Sequence, residues 1–197
     1  MTAREKAGLR GPVRSLREEF AELDLATENW LPPRHYSITS FLPDGRLDET
    51  EFHNPDGSVV RSVYRYDDAG RLTAIQTGDS AIAHTYDDAG RLARVSGPTG
   101  DRERFRYEAG GGHVRVQLVP SGILSGSGVE GSDHFYSAQG AAEVHTHYDA
   151  SGRAVAMRFL DREGGLLNRV AFAYDSAGRL VSEAQFLRSA AFGGGFR

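Results

Sequence analysis

The amino-acid sequence predicts an all-β fold, an antiparallel β-meander of repeated hairpins that curls into an open barrel-like or spiral sheet. The heptad Tyr-Asp-Asp-Ala-Gly-Arg-Leu occurs at residues 66–72 and again at 86–92. A looser Tyr-Asp-x-x-Gly frame recurs along most of the chain, and short Asp/Gly/Ser/Pro stretches separate the apolar segments. This punctuation is typical of many short strands joined by tight turns.

The spacing of the glycines in this frame predicts the order of the strands. Nine frames contribute Gly45, Gly57, Gly70, Gly90, Gly111, Gly140, Gly152, Gly164 and Gly178. Steps of 12 to 14 residues fit one turn plus one strand, and steps of 20 or 21 fit two strands with an additional turn. The 29-residue step contains the Gly/Ser-rich stretch 120–133, which we expect to be a mobile loop.

The heptad itself contains the instructions for a hairpin. Asp67 and Arg71 are expected to face each other across a three-residue loop that ends at Gly70, because a left-handed conformation there favours glycine. Tyr66 and Leu72 then form a cross-strand pair one step further out. The turn and pair residues assigned in this way are Tyr66, Asp67, Gly70, Arg71, Leu72, Tyr86, Asp87, Gly90, Arg91, Leu92, Tyr148, Gly152, Tyr174, Asp175, Gly178, Arg179 and Leu180.

Three segments are expected along the chain. Residues 1–35 form an N-terminal edge segment, residues 36–188 form the repeat sheet domain, and residues 189–197 form a frayed tail. Within the first segment, residues 12–24 fit either a helix, since Leu16, Phe20 and Leu23 have helical spacing, or a strand. We favour the strand, because it would cover the first edge of the sheet.

Composition excludes several classes of protein. The net charge of −4 argues against a nucleic-acid-binding protein. The absence of cysteine excludes disulfides and thiolate ligands. We predict no membrane span, because no apolar run approaches about 18 residues. The N-terminus has no apolar signal-peptide region, so the default expectation is a cytoplasmic protein.

The repeated residues resemble the RHS/YD-repeat family, whose signature is a Tyr-Asp-x-x-Gly-Arg-Leu core. The match is closest at 66–72, 86–92 and 174–180. The resemblance implies a long sheet of β-hairpins in a bacterial protein, often a secreted or cell-envelope one. Large members enclose a toxin or support cell-surface recognition. This chain is too short to close a large shell, and it lacks the family's aspartate-bearing self-cleavage segment.

Few residues point to chemistry. The sequence Gly-Ser-Gly-Val-Glu-Gly at 126–131 fits a dinucleotide-binding pattern, but no helix is predicted after it, so we interpret it as a loop. His145 and His147 are two residues apart, which on a strand places both on one face. With His134 they are weak candidates for a metal site. The sequence contains none of the common catalytic motifs, and we predict neither an enzyme nor a bound cofactor.

The sequence therefore favours a non-catalytic binding or scaffold module with a protein or glycan partner. One alternative is a small metal-dependent enzyme or metal-binding protein that uses His145 and His147. Another is a partner that shields or encapsulates a toxin. The tyrosine positions could form core or, on an open sheet, a binding surface. Exposed edge strands could also pair two copies into a homodimer.

Overall fold

The computed structural model describes residues 1–119, 136 and 138–187. The described residues form a short helix, α1 (Ala3–Lys6), and fifteen strands. The strands are β1 (Ser15–Phe20), β2 (Leu23–Asp24), β3 (Asn29–Trp30), β4 (His35–Phe41), β5 (Leu47–His53), β6 (Val59–Tyr66), β7 (Leu72–Thr77), β8 (Ser80–Tyr86), β9 (Leu92–Gly97), β10 (Gly100–Tyr107), β11 (His113–Leu118), β12 (Glu143–Tyr148), β13 (Ala154–Leu160), β14 (Leu166–Tyr174) and β15 (Leu180–Leu187). The expected mobile loop at 120–133 and frayed tail at 189–197 lie outside the described residues.

Thirteen strands form one antiparallel sheet in the order β1, β4, β5 and then in chain order to β15, while β2 and β3 pair separately. The predicted all-β class and antiparallel meander are confirmed. The chain divides into two compact units, Met1–His84 and Thr85–Arg197, which are called unit 1 and unit 2. The expected boundaries at residues 35 and 188 stay predictions, as does the curling, which concerns both units together.

In unit 1, the segment before the first heptad-like frame supplies an edge strand. Strand β1 pairs with β4, so that Ser15 lies opposite Ser40 and Phe20 opposite His35. Residues 15–20 are thus a strand, and the helical alternative for residues 12–24 is wrong there. The short helix α1 begins with a capping box made by Thr2 and Glu5. The helix is attached to the first hairpin by the Arg4 backbone N–H, which donates to the Gly45 carbonyl at 3.1 Å.

In unit 2, one face of the sheet carries a core, and we call it the core face. Val144, Met157, Phe159 and Val170 are buried on it, in register on strands β12, β13 and β14. Val119, Tyr136 and Ala141, from the connection between β11 and β12, are buried in the same cluster. The described residues of this connection therefore belong to the core on this face. No helix among the described residues is long and apolar enough to cross a membrane.

Substituting a turn glycine tests whether its positive φ is required for the stability of the fold. Gly152 has φ of +79°, and an added Cβ would meet no atom within 4 Å. Gly152→Ala should therefore destabilise the protein by about 1 kcal/mol through backbone strain alone. That free energy lowers the melting temperature by about 2–4 °C in a domain of this size.

Gly110 is the matched control, because its surroundings are equally open but its φ lies outside the left-handed region. Gly110→Ala should leave the melting temperature unchanged or raise it slightly, since alanine restricts the unfolded chain. Equal destabilisation by both substitutions in thermal unfolding would contradict the role assigned to Gly152.

Candidate functional site

The turn of each heptad is held by an aspartate and an arginine. The Gly70 N–H donates to the Asp67 carbonyl at 2.9 Å, and Gly70 has φ of +79°. The Asp67 carboxylate accepts both the Arg71 backbone N–H at 2.8 Å and its guanidinium Nε at 2.7 Å. One aspartate therefore closes the loop and at the same time fixes the direction of the arginine side chain.

The same arrangement recurs in the other heptads. Asp87 with Arg91, Asp149 with Arg153 and Asp175 with Arg179 repeat both carboxylate contacts at 2.8–3.0 Å. The backbone N–H of Arg179 and then its guanidinium hold the pKa of Asp175 below its ordinary value. Each of these carboxylates is thus a charged acceptor whose hydrogen bonds are made within its own turn.

Three tyrosines of the Tyr-Asp-x-x-Gly frames, Tyr66, Tyr107 and Tyr174, each contact the preceding hairpin at the same end of the sheet, and we call this contact the tyrosine link. The Tyr107 hydroxyl donates to the Leu92 carbonyl at 2.9 Å, and the Arg91 guanidinium lies 4.2 Å from the Tyr107 ring centroid. Equivalent links join Tyr66 to Leu47 and Arg46, and Tyr174 to Ala154 and Arg153. Burial raises the pKa of all three tyrosines, so the hydroxyls stay protonated donors.

The tyrosine link bears on whether the tyrosines form core or a binding surface. The heptad tyrosines are half-buried, whereas Phe41 and Tyr136 in the equivalent positions are buried. Each linked ring lies under an arginine of the neighbouring hairpin, so its face is occupied within the sheet. These rings are connectors between hairpins.

The frame at Gly111 departs from the pattern, and its link changes accordingly. Gly112 and His113 stand where the heptads at 66–72, 86–92 and 174–180 have arginine and leucine. Tyr148, on the strand beside β11, stacks on the His113 ring with centroids 4.5 Å apart and planes 8° apart. An aromatic stack here replaces the arginine contact. Of the other assigned residues, Tyr86 ends β8, Leu92 begins β9, and Gly90, Gly152 and Gly178 have positive φ.

The tyrosine link predicts unequal effects for two neighbouring tyrosines. Tyr66→Phe removes the hydrogen bond to the Leu47 carbonyl, which measures 2.8 Å, and should cost about 0.5–1.5 kcal/mol of stability. Tyr64 lies on the same strand and face, and its hydroxyl has no hydrogen-bond partner among the described residues. Tyr64→Phe should therefore be close to neutral in chemical denaturation. Equal losses in both variants would argue against the link.

The two histidines suggested as metal ligands lie on the face opposite the core face. His145 is directly opposite Val116, and His147 is directly opposite Val114. The Nε2 atom of His145 contacts the Glu143 carboxylate at 2.7 Å, while the Nε2 atom of His147 is buried without a hydrogen-bond partner. Within the described residues, no three metal-ligating side chains converge. His134 lies outside those residues.

His147 should make the protein sensitive to acid. Burial, and then the charges of Arg158 and His145, lower the pKa of His147 from its ordinary 6.5. The unfolded state therefore binds the proton first, and stability should fall as the pH drops below about 6.5. His147→Gln should reduce the loss of stability between pH 7.5 and pH 5.5 in urea unfolding. An NMR titration midpoint at or above 6.5 for His147 would contradict this prediction.

The sequence analysis missed a surface of arginines on the same face. We call it the arginine surface, and its members are Arg94, Arg104, Arg106, Arg158 and Arg169, all exposed. Cross-strand register produces it, because Arg94 lies opposite Arg104 and Arg158 lies opposite Arg169. The only available signal was the alternation Arg-x-Arg-x-Arg at 102–106, which on a strand places all three side chains on one face.

One of the two arginine pairs, Arg94 with Arg104, borders a shallow depression. Its volume is about 500 Å³, and its lining includes Arg94, Arg104, Val116 and His145. Glu143 partly neutralises one end, where its carboxylate lies 3.2 Å from Arg104. Among the described residues, Arg158 and Arg169 have no acidic partner. The fixed register and the remaining positive charge suit this face to bind carboxylate or sulfate groups.

Three comparisons with known proteins were made, and the family model supports the repeat assignment. The RHS repeat family model matches residues 43–82. A search of curated proteins found no match. Among solved structures, the chain is similar to a chain of the crystal structure of TcdB2-TccC3, with 11% identity and a TM-score of 0.28. The similarity covers 81% of this chain and 13% of that chain.

Proposed function

We propose, from the premise that this chain is an RHS/YD-repeat protein, that it acts as a non-catalytic binding module. The arginine surface of unit 2 would bind an acidic segment of a partner protein. The observation that carries the proposal is the register that places Arg158 directly opposite Arg169, since neither residue has an acidic partner among the described residues. A rigid sheet is then the scaffold that holds them.

Rigidity supports this function because binding charged groups requires fixed positions. Guanidinium groups on loops would lose conformational entropy on binding. Strands β13 and β14, which carry Arg158 and Arg169, continue to the turn of Asp149 and Arg153 and to the link of Tyr174. These contacts restrain neighbouring hairpins at one end, and the backbone ladder restrains them along the strands. The backbone positions of the two arginines are thereby fixed before a partner binds.

The chemistry of the surface favours an acidic protein segment over a nucleic acid. The whole chain has a net charge of −4, so long-range attraction to a polyanion would be weak. Short-range bidentate pairing between guanidinium and carboxylate needs no such field. A few carboxylates placed on one extended segment would therefore be the preferred ligand.

The two other functions considered have less support. A metal-dependent function using His145 and His147 finds no third ligand among the described residues. A role in shielding or encapsulating a toxin stays a prediction, because none of the contacts described above bears on it.

A binding experiment tests the arginine surface. Wild-type protein should bind a fluorescein-labelled dodecamer of glutamate, and fluorescence anisotropy should show affinity that falls as salt is added. The double variant Arg158→Gln/Arg169→Gln should bind at least tenfold more weakly, because each lost charge-assisted pair contributes about 1 kcal/mol or more.

The double variant Arg10→Gln/Arg162→Gln is the matched control, since it removes the same charge from exposed positions outside the surface. It should bind the glutamate peptide like the wild type. If both double variants weaken binding equally, only net charge matters and the proposed surface is wrong. If a single-stranded DNA dodecamer bound more tightly than the peptide, the partner would be a nucleic acid and the proposed acidic protein segment would be wrong.

A further inference from the structure

The outer edge of β15 presents one half of a tyrosine link. The last heptad closes its turn like the others, and the Asp175 carboxylate holds Arg179 at 2.8 Å. Leu180 follows, in the position that Leu92 has in the link to Tyr107. Strand β15 is the last strand in the order of the sheet. Among the described residues, no aromatic ring lies under Arg179 and no tyrosine hydroxyl reaches the Leu180 carbonyl.

Exposure distinguishes this arginine from its equivalents. The side chains of Arg46, Arg91 and Arg153, each over a linked tyrosine, are 32%, 50% and 38% exposed. The side chain of Arg179 is 80% exposed. On the same strand, Val181 is 61% and Phe186 is 57% exposed. A strand added at the outer edge of β15 would cover side chains of the kind that neighbouring strands already cover elsewhere in the sheet.

The other edge of the sheet is protected, and this contrast selects β15. Strand β1 carries three consecutive charged residues, Arg17, Glu18 and Glu19, and Arg17 pairs with Glu19 at 2.8 Å. Charges on an edge strand discourage the pairing of further strands. Strand β15 has no proline, and its one charged residue, Glu183, is half-buried. Its edge has neither of these protections.

We propose that the outer edge of β15 accepts an antiparallel strand that ends in a tyrosine followed by an acidic residue, supplied by a second YD-repeat chain. The incoming backbone would extend the ladder, a known mode of peptide recognition. Its tyrosine ring would lie under Arg179, and the hydroxyl would donate to the Leu180 carbonyl. The proposal is independent of the arginine surface, because it uses a different set of residues.

The internal links fix the register of the incoming strand. Arg94 and Arg104 are directly opposite each other, three residues after Arg91 and three residues before Tyr107. The tyrosine is therefore in register with the arginine that covers it. Arg153 and Tyr174 follow the same rule, because Ala156 lies opposite Ala171. At the edge of β15, Ser182 should face the residue three positions before the incoming tyrosine.

This register can be tested by disulfide trapping, since the chain contains no cysteine. The protein variant is Ser182→Cys, and the probe is a synthetic peptide with the sequence of residues 101–108, which ends in Tyr-Glu and carries Arg104→Cys. Directly opposite residues in an antiparallel pair lie about 4.5–5.5 Å apart at Cα, which allows a disulfide. In a glutathione buffer we expect this pair to cross-link at least fivefold more than a peptide carrying Phe105→Cys.

The arginine and the tyrosine should both matter. Arg179→Gln in the protein, or Tyr107→Phe in the peptide, should lower the cross-linked fraction about threefold to tenfold. Arg162→Gln, at an exposed turn outside the edge, should leave it unchanged, and thermal unfolding should show that every variant is folded.

Two outcomes would overturn the proposal. Equal trapping of the two cysteine peptides would mean that the edge imposes no register. Predominant disulfide dimers of the Ser182→Cys protein, formed equally with and without peptide, would show that the edge pairs with a second copy of itself. Peptide trapping with the expected register and arginine dependence supports it.

Discussion

The backbone reversal at the left-handed glycine is the constraint on which the other features depend. Only glycine adopts this conformation without strain, and the preceding aspartate then satisfies the loop's N–H groups. Because the same carboxylate holds the arginine of the heptad, the turn determines where a positive group lies at the sheet end. The next tyrosine along that end finds both a cation for its ring and a carbonyl for its hydroxyl. A local turn thereby becomes a contact between hairpins.

Contacts of this kind make each hairpin depend mainly on its neighbours. The described ladders join strands that are adjacent in the chain or nearly so, as in other repeat architectures. Stability is then close to a sum of turns, ladders and links, and a terminal strand lacks one neighbour's contribution. Among the described strands, β15 pairs on one side only, and its Arg179 side chain is 80% exposed. The charged residues of β1 discourage a further strand from pairing with the other edge of the sheet.

Sequence reasoning succeeded where the determinants are local. The heptad contains its own glycine, aspartate and cross-strand pair, so the hairpin at 66–72 could be derived from seven residues. It failed for the arginine surface, because Arg104 and Glu143 are far apart in the chain and meet only through the ladders of β10, β11 and β12. The alternation of His145 and His147 predicted their common face. It could not reveal that the Glu143 carboxylate contacts the His145 imidazole.

Some residues of the arginine surface also cover apolar side chains, and in this they differ from the others. Val116 lies between Arg104 and His145 in one cross-strand row, and Val114 lies between Arg106 and His147 in the next. Both valines are buried, although neither belongs to the core cluster of the opposite face. Long arginine stems and imidazole rings can cover apolar surface while their polar ends stay in water. Truncating Arg104 or Arg106 would therefore disturb packing around the valines. Arg158 and Arg169 lie opposite each other instead, and the Arg169 guanidinium lies 5.8 Å from the centroid of the Phe186 ring. Binding and packing can thus be separated within one surface.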